Sequence, residues 1–187
     1  MKIVILRHGK PSLPSWQWIK AIELRDWIDA YNRAGIQDAV PATKALDAAR
    51  ECSVIVTSDL ARSIESAKAL AKGIPTLSES LFREAGLPFC PVGNIKMSPL
   101  AWALFFRLLW AFGFEANGEP VRLFKDRSRK AADRLIELAK EQGSVLFVGH
   151  GIMNAYIARR LLSAGWTGPR GPRTHYWASA EYTCEAR

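Results

Sequence analysis

The chain opens on four apolar residues in a row, Ile3-Val4-Ile5-Leu6, and similar runs recur at Val54-Ile55-Val56 and Val145-Leu146-Phe147-Val148. Short unbroken runs rich in β-branched residues read as strands buried on both faces, because a half-exposed strand would alternate apolar with polar. Strands are predicted over 2–6, 53–57 and 145–148, with a short one within 76–83 and a last one near 175–183. Between these runs the apolar positions fall at helical spacing. In 128–142, Ala131, Leu135, Leu138 and Ala139 share one face and Gly143 stops the helix. Residues 16–34 carry Trp18, Ile22 and Ile28 between a cap at Ser15 and a stop at Gly35. Further helices are predicted over 41–50, with Pro41 in the first turn, over 60–72, stopped by Gly73, and over 152–164.

Strands alternating with helices imply a mainly parallel sheet with helices on both faces, a three-layer α/β/α sandwich. The rhythm breaks once. Residues 86–99 are rich in proline and glycine, and 99–114 are apolar nearly all round. We expect one domain spanning 1–187, in which about 85–125 form a helical insertion over the crevice. The stretch 99–114 falls short of the ~20 residues a membrane span needs and carries Arg107 at its middle. It reads as a helix buried on several sides, a lid or a homodimer surface. Shallow membrane contact is the lesser reading.

The length of 187 residues suits a single domain with a real core. A net charge of +8 favours an acidic partner: a phosphorylated metabolite, a nucleic acid or an anionic surface. The lysines and arginines are scattered and no recognition motif for DNA or RNA appears, so no nucleic acid is expected. Cys52, Cys90 and Cys184 lie far apart without CxxC spacing. That argues against a zinc site or a disulfide framework and suits a reducing cytoplasm. No signal peptide is expected, since only Met1-Lys2 precede the first strand.

The candidate chemistry lies at strand ends, where open α/β sheets bind ligands. The first strand runs into Arg7-His8-Gly9 and the last of the three apolar runs into Gly149-His150-Gly151. Between them, the strand ending at Thr57 leads through Ser58-Asp59, either of which caps a helix, to Arg62 in the first turn. A lone histidine after a strand is usually structural. Two of the three histidines in the chain, placed alike and joined by two arginines, suit a phosphoryl group.

Four blocks occur in order across residues 3–160. They are Leu6-Arg7-His8-Gly9, Ser58-Asp59-Leu60-Ala61-Arg62-Ser63-Ile64-Glu65-Ser66-Ala67, Leu81-Phe82-Arg83-Glu84-Ala85 and Val148-Gly149-His150-Gly151. Together they resemble the histidine phosphatase superfamily, the family of cofactor-dependent phosphoglycerate mutases and many phosphatases. The resemblance implies a phosphoglycerate mutase-like fold and a phosphohistidine intermediate on His8. Arg7, Arg62 and His150 would hold the transferring oxygens. Glu84 would protonate the leaving oxygen and later activate water. Gly9, Lys10, Ser58 and Gly151 would bind substrate, and neither metal nor cofactor is implied. The chain departs from the mutases at Lys10-Pro11, where they carry Glu and a small hydroxyl residue, and at Ile152, where they carry Asn. After Glu84 it reads Ala85-Gly86-Leu87-Pro88-Phe89, without the mutases' Trp-Glu-Gly-like stretch. These departures favour a metal-independent phosphatase acting on a small phosphorylated substrate. The alternatives are a protein phosphohistidine phosphatase and a non-catalytic phosphate-binding module. Trp102, Phe105, Phe106 and Trp110 would either line a recess for the leaving group or, as more expected, pack on the core. Arg170 and Arg173 read as solvated loop charges and His175 as peripheral.

Overall fold

In the computed structural model, which describes residues 1–13, 17–37, 40–70, 73–91 and 93–185, the three apolar runs become three adjacent strands of one sheet. The elements run β1 (Lys2–Arg7), β2 (Ile19–Lys20), α1 (Leu24–Arg33), α2 (Thr43–Arg50), β3 (Val54–Thr57), α3 (Ala61–Leu70), β4 (Thr76–Ser78), β5 (Lys96–Met97), α4 (Pro99–Ala111), α5 (Val121–Gln142), β6 (Ser144–Gly149), α6 (Gly151–Ser163) and β7 (Ser179–Thr183). The main sheet has the order β4-β3-β6-β1-β7. Its first four strands are parallel, and β7 pairs antiparallel with β1.

Alternate residues of the central strands point to opposite faces. Ile3, Ile5, Val145 and Phe147 join α5 and α6 in one core layer. Val4, Leu6, Leu146 and Val148 join α2 and α3 in the other. This two-sided burial is why the runs are unbroken, and it yields the expected α/β/α sandwich. The register then positions the site: Leu6 and Thr57 both lie opposite Val148, so three strands end together and release His8, Ser58 and His150 at one edge.

Several boundaries differ from the sequence reading. The helix expected over 16–34 is β2, a 3-10 turn at Ala21–Glu23 and the shorter α1. Of the expected apolar positions, Trp18 and Ile22 are exposed and Ile28 is partly buried against the core, which is built instead on Ile19, Ala21, Leu24 and Trp27. The proposed cap Ser15 lies outside the described residues. β2 pairs with β5 inside the stretch read as loop, a ladder too short for any periodicity to show. The helix expected from 128 begins at Val121, because Pro120 sets its entry and Phe124 carries the buried stripe one turn further. The stretch 99–114 is helical over Pro99–Ala111, with Ser98 Oγ accepting from the Ala101 amide at 3.2 Å. It is buried along one stripe, Trp102, Phe106 and Trp110, and not on several sides. Among the described residues no helix is long and apolar enough to cross a membrane.

Candidate active site

His8 leaves β1 with its amide on the Gly149 carbonyl at 3.1 Å. Its ring lies 5.0 Å from that of His150, centroid to centroid. Both imidazoles are buried. His8 Nδ1 sits 2.7 Å from the Gly9 carbonyl. A carbonyl only accepts, so Nδ1 carries the proton and Nε2 presents a lone pair. Burial, with Arg62 and then Arg7 nearby, pushes the His8 pKa down to about 3 against the opposing pull of the Gly9 carbonyl. His150 is driven well below the ordinary histidine range by burial first and by Arg62 next. Both rings are therefore neutral at pH 7. His150 Nε2 lies 2.7 Å from Ser58 Oγ, and its Nδ1 is buried with no partner among the described residues.

The two arginines are each set on a tyrosine. Arg62 is buried in α3, with its guanidinium 4.3 Å over the Tyr31 ring and Nη1 donating to the Tyr31 carbonyl at 2.9 Å. The Arg7 guanidinium lies 4.6 Å over Tyr176 and donates to the Thr174 carbonyl. Nε of each arginine is buried and has no hydrogen-bond partner among the described residues. A buried guanidinium N–H without an acceptor is a donor free for an anion.

Glu84 reaches the site from the loop after β4. Its Oε2 accepts from the Ile152 amide and its Oε1 from the Met153 amide, both at 3.0 Å, so it caps the amino end of α6. A Cβ built on Gly151 would lie 3.7 Å from Glu84 Oε2 and 4.0 Å from Arg7 Cζ, which places Gly151 between acid and cation. Gly9 donates its amide to Ser66 Oγ at 2.8 Å, and a Cβ there would come within 2.6 Å of the Trp177 ring. Trp177 itself has φ 63°, a left-handed conformation that bulky residues rarely adopt. Lys10 is exposed just beyond Gly9.

The structure thus gathers His8, Arg7, Arg62, His150, Glu84, Gly9, Ser58 and Gly151 at one sheet edge, with Lys10 at its rim. Arg170, Arg173 and His175 are exposed in the following loop. Of the α4 aromatics, Trp102, Phe106 and Trp110 belong to the packing while Phe105 is exposed: the indole N–H of Trp102 donates to the Ile19 carbonyl and that of Trp110 to the Glu119 carbonyl. Among the described residues no group of three or more His, Cys, Asp or Glu side chains is placed to hold a metal. The sequence reading missed Tyr31, Tyr176 and the serine relay. In that relay Ser66 Oγ donates to the Arg62 carbonyl and Ser63 Oγ to the Val148 carbonyl, at 2.6 and 2.5 Å. The serines carried a signal, since Ser63 and Ser66 fall on the buried face of α3. The tyrosines carried none.

A family model described as the histidine phosphatase superfamily (branch 1) matches residues 3–185. No curated protein matches the chain. Among solved structures, the mycobacterial glucosyl-3-phosphoglycerate phosphatase is similar at 22% identity and a TM-score of 0.58, covering 87% of this chain and 79% of its own. The product of an open reading frame of Mycobacterium tuberculosis shares 16% identity with a TM-score of 0.61, covering 98% and 91%. A putative α-ribazole-5'-P phosphatase of Escherichia coli shares 16% with a TM-score of 0.54, covering 86% and 79%. At these identities the likeness is one of fold.

Proposed function

The chain belongs to the histidine phosphatase superfamily (branch 1), and on that premise we propose that it hydrolyses a phosphomonoester through a phosphohistidine on His8. The observation that carries this reading is the His8 tautomer. With Nδ1 committed to the Gly9 carbonyl and the ring neutral, Nε2 is the free nucleophile.

In the first half-reaction Nε2 forms an N–P bond as the P–O bond to the leaving group breaks. Arg7, Arg62 and neutral His150 donate to the three equatorial oxygens, and protonated Glu84 gives its proton to the departing oxygen. In the second, Glu84 takes a proton from water as the water oxygen attacks phosphorus and the N–P bond breaks. The sum is ester plus water to alcohol plus phosphate, with His8 and Glu84 restored. No metal enters these steps. The similar folds named as phosphatases of a glucosyl phosphoglycerate and of α-ribazole phosphate support phosphoester hydrolysis over mutase chemistry.

The test is phosphate release from an aryl phosphate in chelator. We expect turnover by the wild type and a loss of at least about a thousandfold in His8→Ala. Turnover retained in that variant would remove His8 from the chemistry. Phosphate binding without turnover by either protein would point instead to a binding module.

A further inference from the structure

α4 is apolar on both sides. Its inner stripe packs against α1 and β2, and its outer side carries Leu100, Leu104 and Leu108 in one row, flanked by Phe105 and Phe112. Leu100 is 70% exposed, Leu104 63%, Leu108 56% and Phe112 89%. An ordinary surface helix would show polar residues here. The single charge of the helix does not serve that purpose. Arg107 turns down, donating to the Ala85 carbonyl at 3.0 Å with its guanidinium 5.0 Å from the Trp110 ring.

Cations bracket this ridge. At the amino end, the β2–β5 ladder turns Ile19 and Met97 inward and sets Lys20 directly opposite Lys96. Like charges across a ladder repel unless an anion lies between them. Asn94 Oδ1, 3.3 Å from Lys20 Nζ, is uncharged, and the Glu23 carboxylate accepts from the Lys20 backbone amide. Trp18, 69% exposed, stands beside them. Beyond the carboxyl end, a surface cleft is lined by Arg122, Lys125 and Arg129 together with Glu115 and Asp126, and Asp126 is already paired with Arg129. Leu123, next to Arg122 in the chain, is exposed.

We propose that this ridge docks on an anionic bilayer surface. α4 lies in the plane of the interface, its leucine row and Phe112 enter the acyl boundary, and Trp18, Lys20 and Lys96 sit at headgroup level. The helix is too short to span, so it lies on the membrane. A second copy fits the face less well. Thirteen residues give a footprint of about 20 Å by about 10 Å, well under the ~800 Å² per partner of a stable interface. Two chains of net charge +8 also repel, whereas an anionic surface attracts them.

The test is co-sedimentation of the full chain with vesicles of phosphatidylcholine alone or with about a third phosphatidylglycerol. We expect pelleting with the anionic vesicles, about tenfold weaker with the neutral ones, and weakened by salt. Leu104→Glu/Leu108→Glu should lose at least about tenfold of the binding with an unchanged melting temperature. Lys20→Gln/Lys96→Gln, which leaves the ridge intact, should lose the preference for anionic lipid. Equal pelleting of wild type and leucine variant would overturn the proposal, as would no pelleting with either vesicle. A wild-type dimer that the leucine variant dissociates, without lipid binding, would assign the ridge to a second copy.

Discussion

The residues that prepare the site for an anion are not all charged. Arg62 is buried, and among the described residues the Tyr31 ring and the Tyr31 carbonyl hold its guanidinium. A desolvated cation–π contact contributes roughly 2 kcal/mol. Tyr31→Ala should therefore lower kcat/KM for an aryl phosphate by about five- to thirtyfold, while Tyr31→Phe, which keeps the ring, stays near wild type. Equal losses in the two variants would show that the ring face is not what holds Arg62. Glu84 has two roles that one substitution separates. Its carboxylate caps α6 through two amides, so Glu84→Gln, which keeps one acceptor, should cost about 1 kcal/mol of stability. As a proton donor it should matter most for poor leaving groups. In Glu84→Gln the hydrolysis of an alkyl phosphate should fall about a hundred- to ten-thousandfold and that of an aryl phosphate much less. A uniform fall across leaving groups, measured as kcat on a graded series, would argue against the acid role. His8, His150, Arg7 and Arg62 were legible in the sequence because each ends a buried strand or follows one directly or by one helical turn. Tyr31 and Tyr176 were not, because they come from a helix end and a late loop and offer only their ring faces.

At the scale of elements, α5 does more than cover the sheet. Its early turns, which a run of charged residues hid from the periodicity, deliver Arg127 to the loop that carries Glu84. Arg127 donates to the carbonyls of Leu81, Arg83 and Glu84 at 2.9, 2.7 and 3.3 Å and pairs with Glu119 at 2.6 Å. One guanidinium thus fixes the backbone of residues 81–84. Arg127→Met keeps the apolar stem and removes every donor, so we expect a loss of about 2 kcal/mol in urea denaturation. We also expect kcat to fall with KM little changed, because the groups assigned to the phosphate oxygens stand on other elements. A destabilised variant with wild-type kcat would mean that Arg127 is structural and does not position Glu84. The contrast with the strands is physical. β1, β3 and β6 are buried on both faces, which writes itself into composition as unbroken apolar runs. At the start of α5 Phe124 is the one buried position before Ser128, set among the charged residues Arg122, Lys125, Asp126 and Arg127, and β2 and β5 hold two residues each, too few to repeat a pattern.

At the scale of the whole molecule, most buried polar side chains meet at one sheet edge: His8, Thr57, Ser58, Arg62, Ser63, Ser66, His150 and Asn154. Two neutral imidazoles beside two guanidinium groups make an anion site, and they also tie stability to pH. An unfolded histidine titrates near 6.5. In the native chain His8 titrates at about 3 and His150 well below the ordinary range, each for burial first and Arg62 next. Above pH 7 neither state binds a proton at these rings, so they contribute no slope. Below about 6.5 the unfolded chain takes up protons that the native chain refuses, and stability falls with pH. The slope approaches 1.36 kcal/mol per pH unit for each ring, or roughly 2.7 for the two together, and for His8 it ends near pH 3. Carboxylates act in the same direction but lower. Asp59, held down chiefly by its hydrogen bond to Arg83, releases its contribution only as the pH falls through its depressed native value. The window from about 6 to about 5 therefore isolates the histidines. Urea denaturation across it, in a buffer free of phosphate so that no ligand adds its own stabilisation, should lose about 2 kcal/mol in the wild type. The His8→Asn/His150→Gln variant should lose far less. A double variant as steep as the wild type would show that other groups set the acid limit of this fold. A flat wild type would show that the two rings accept protons in place, with the neighbouring arginines moving aside to let them.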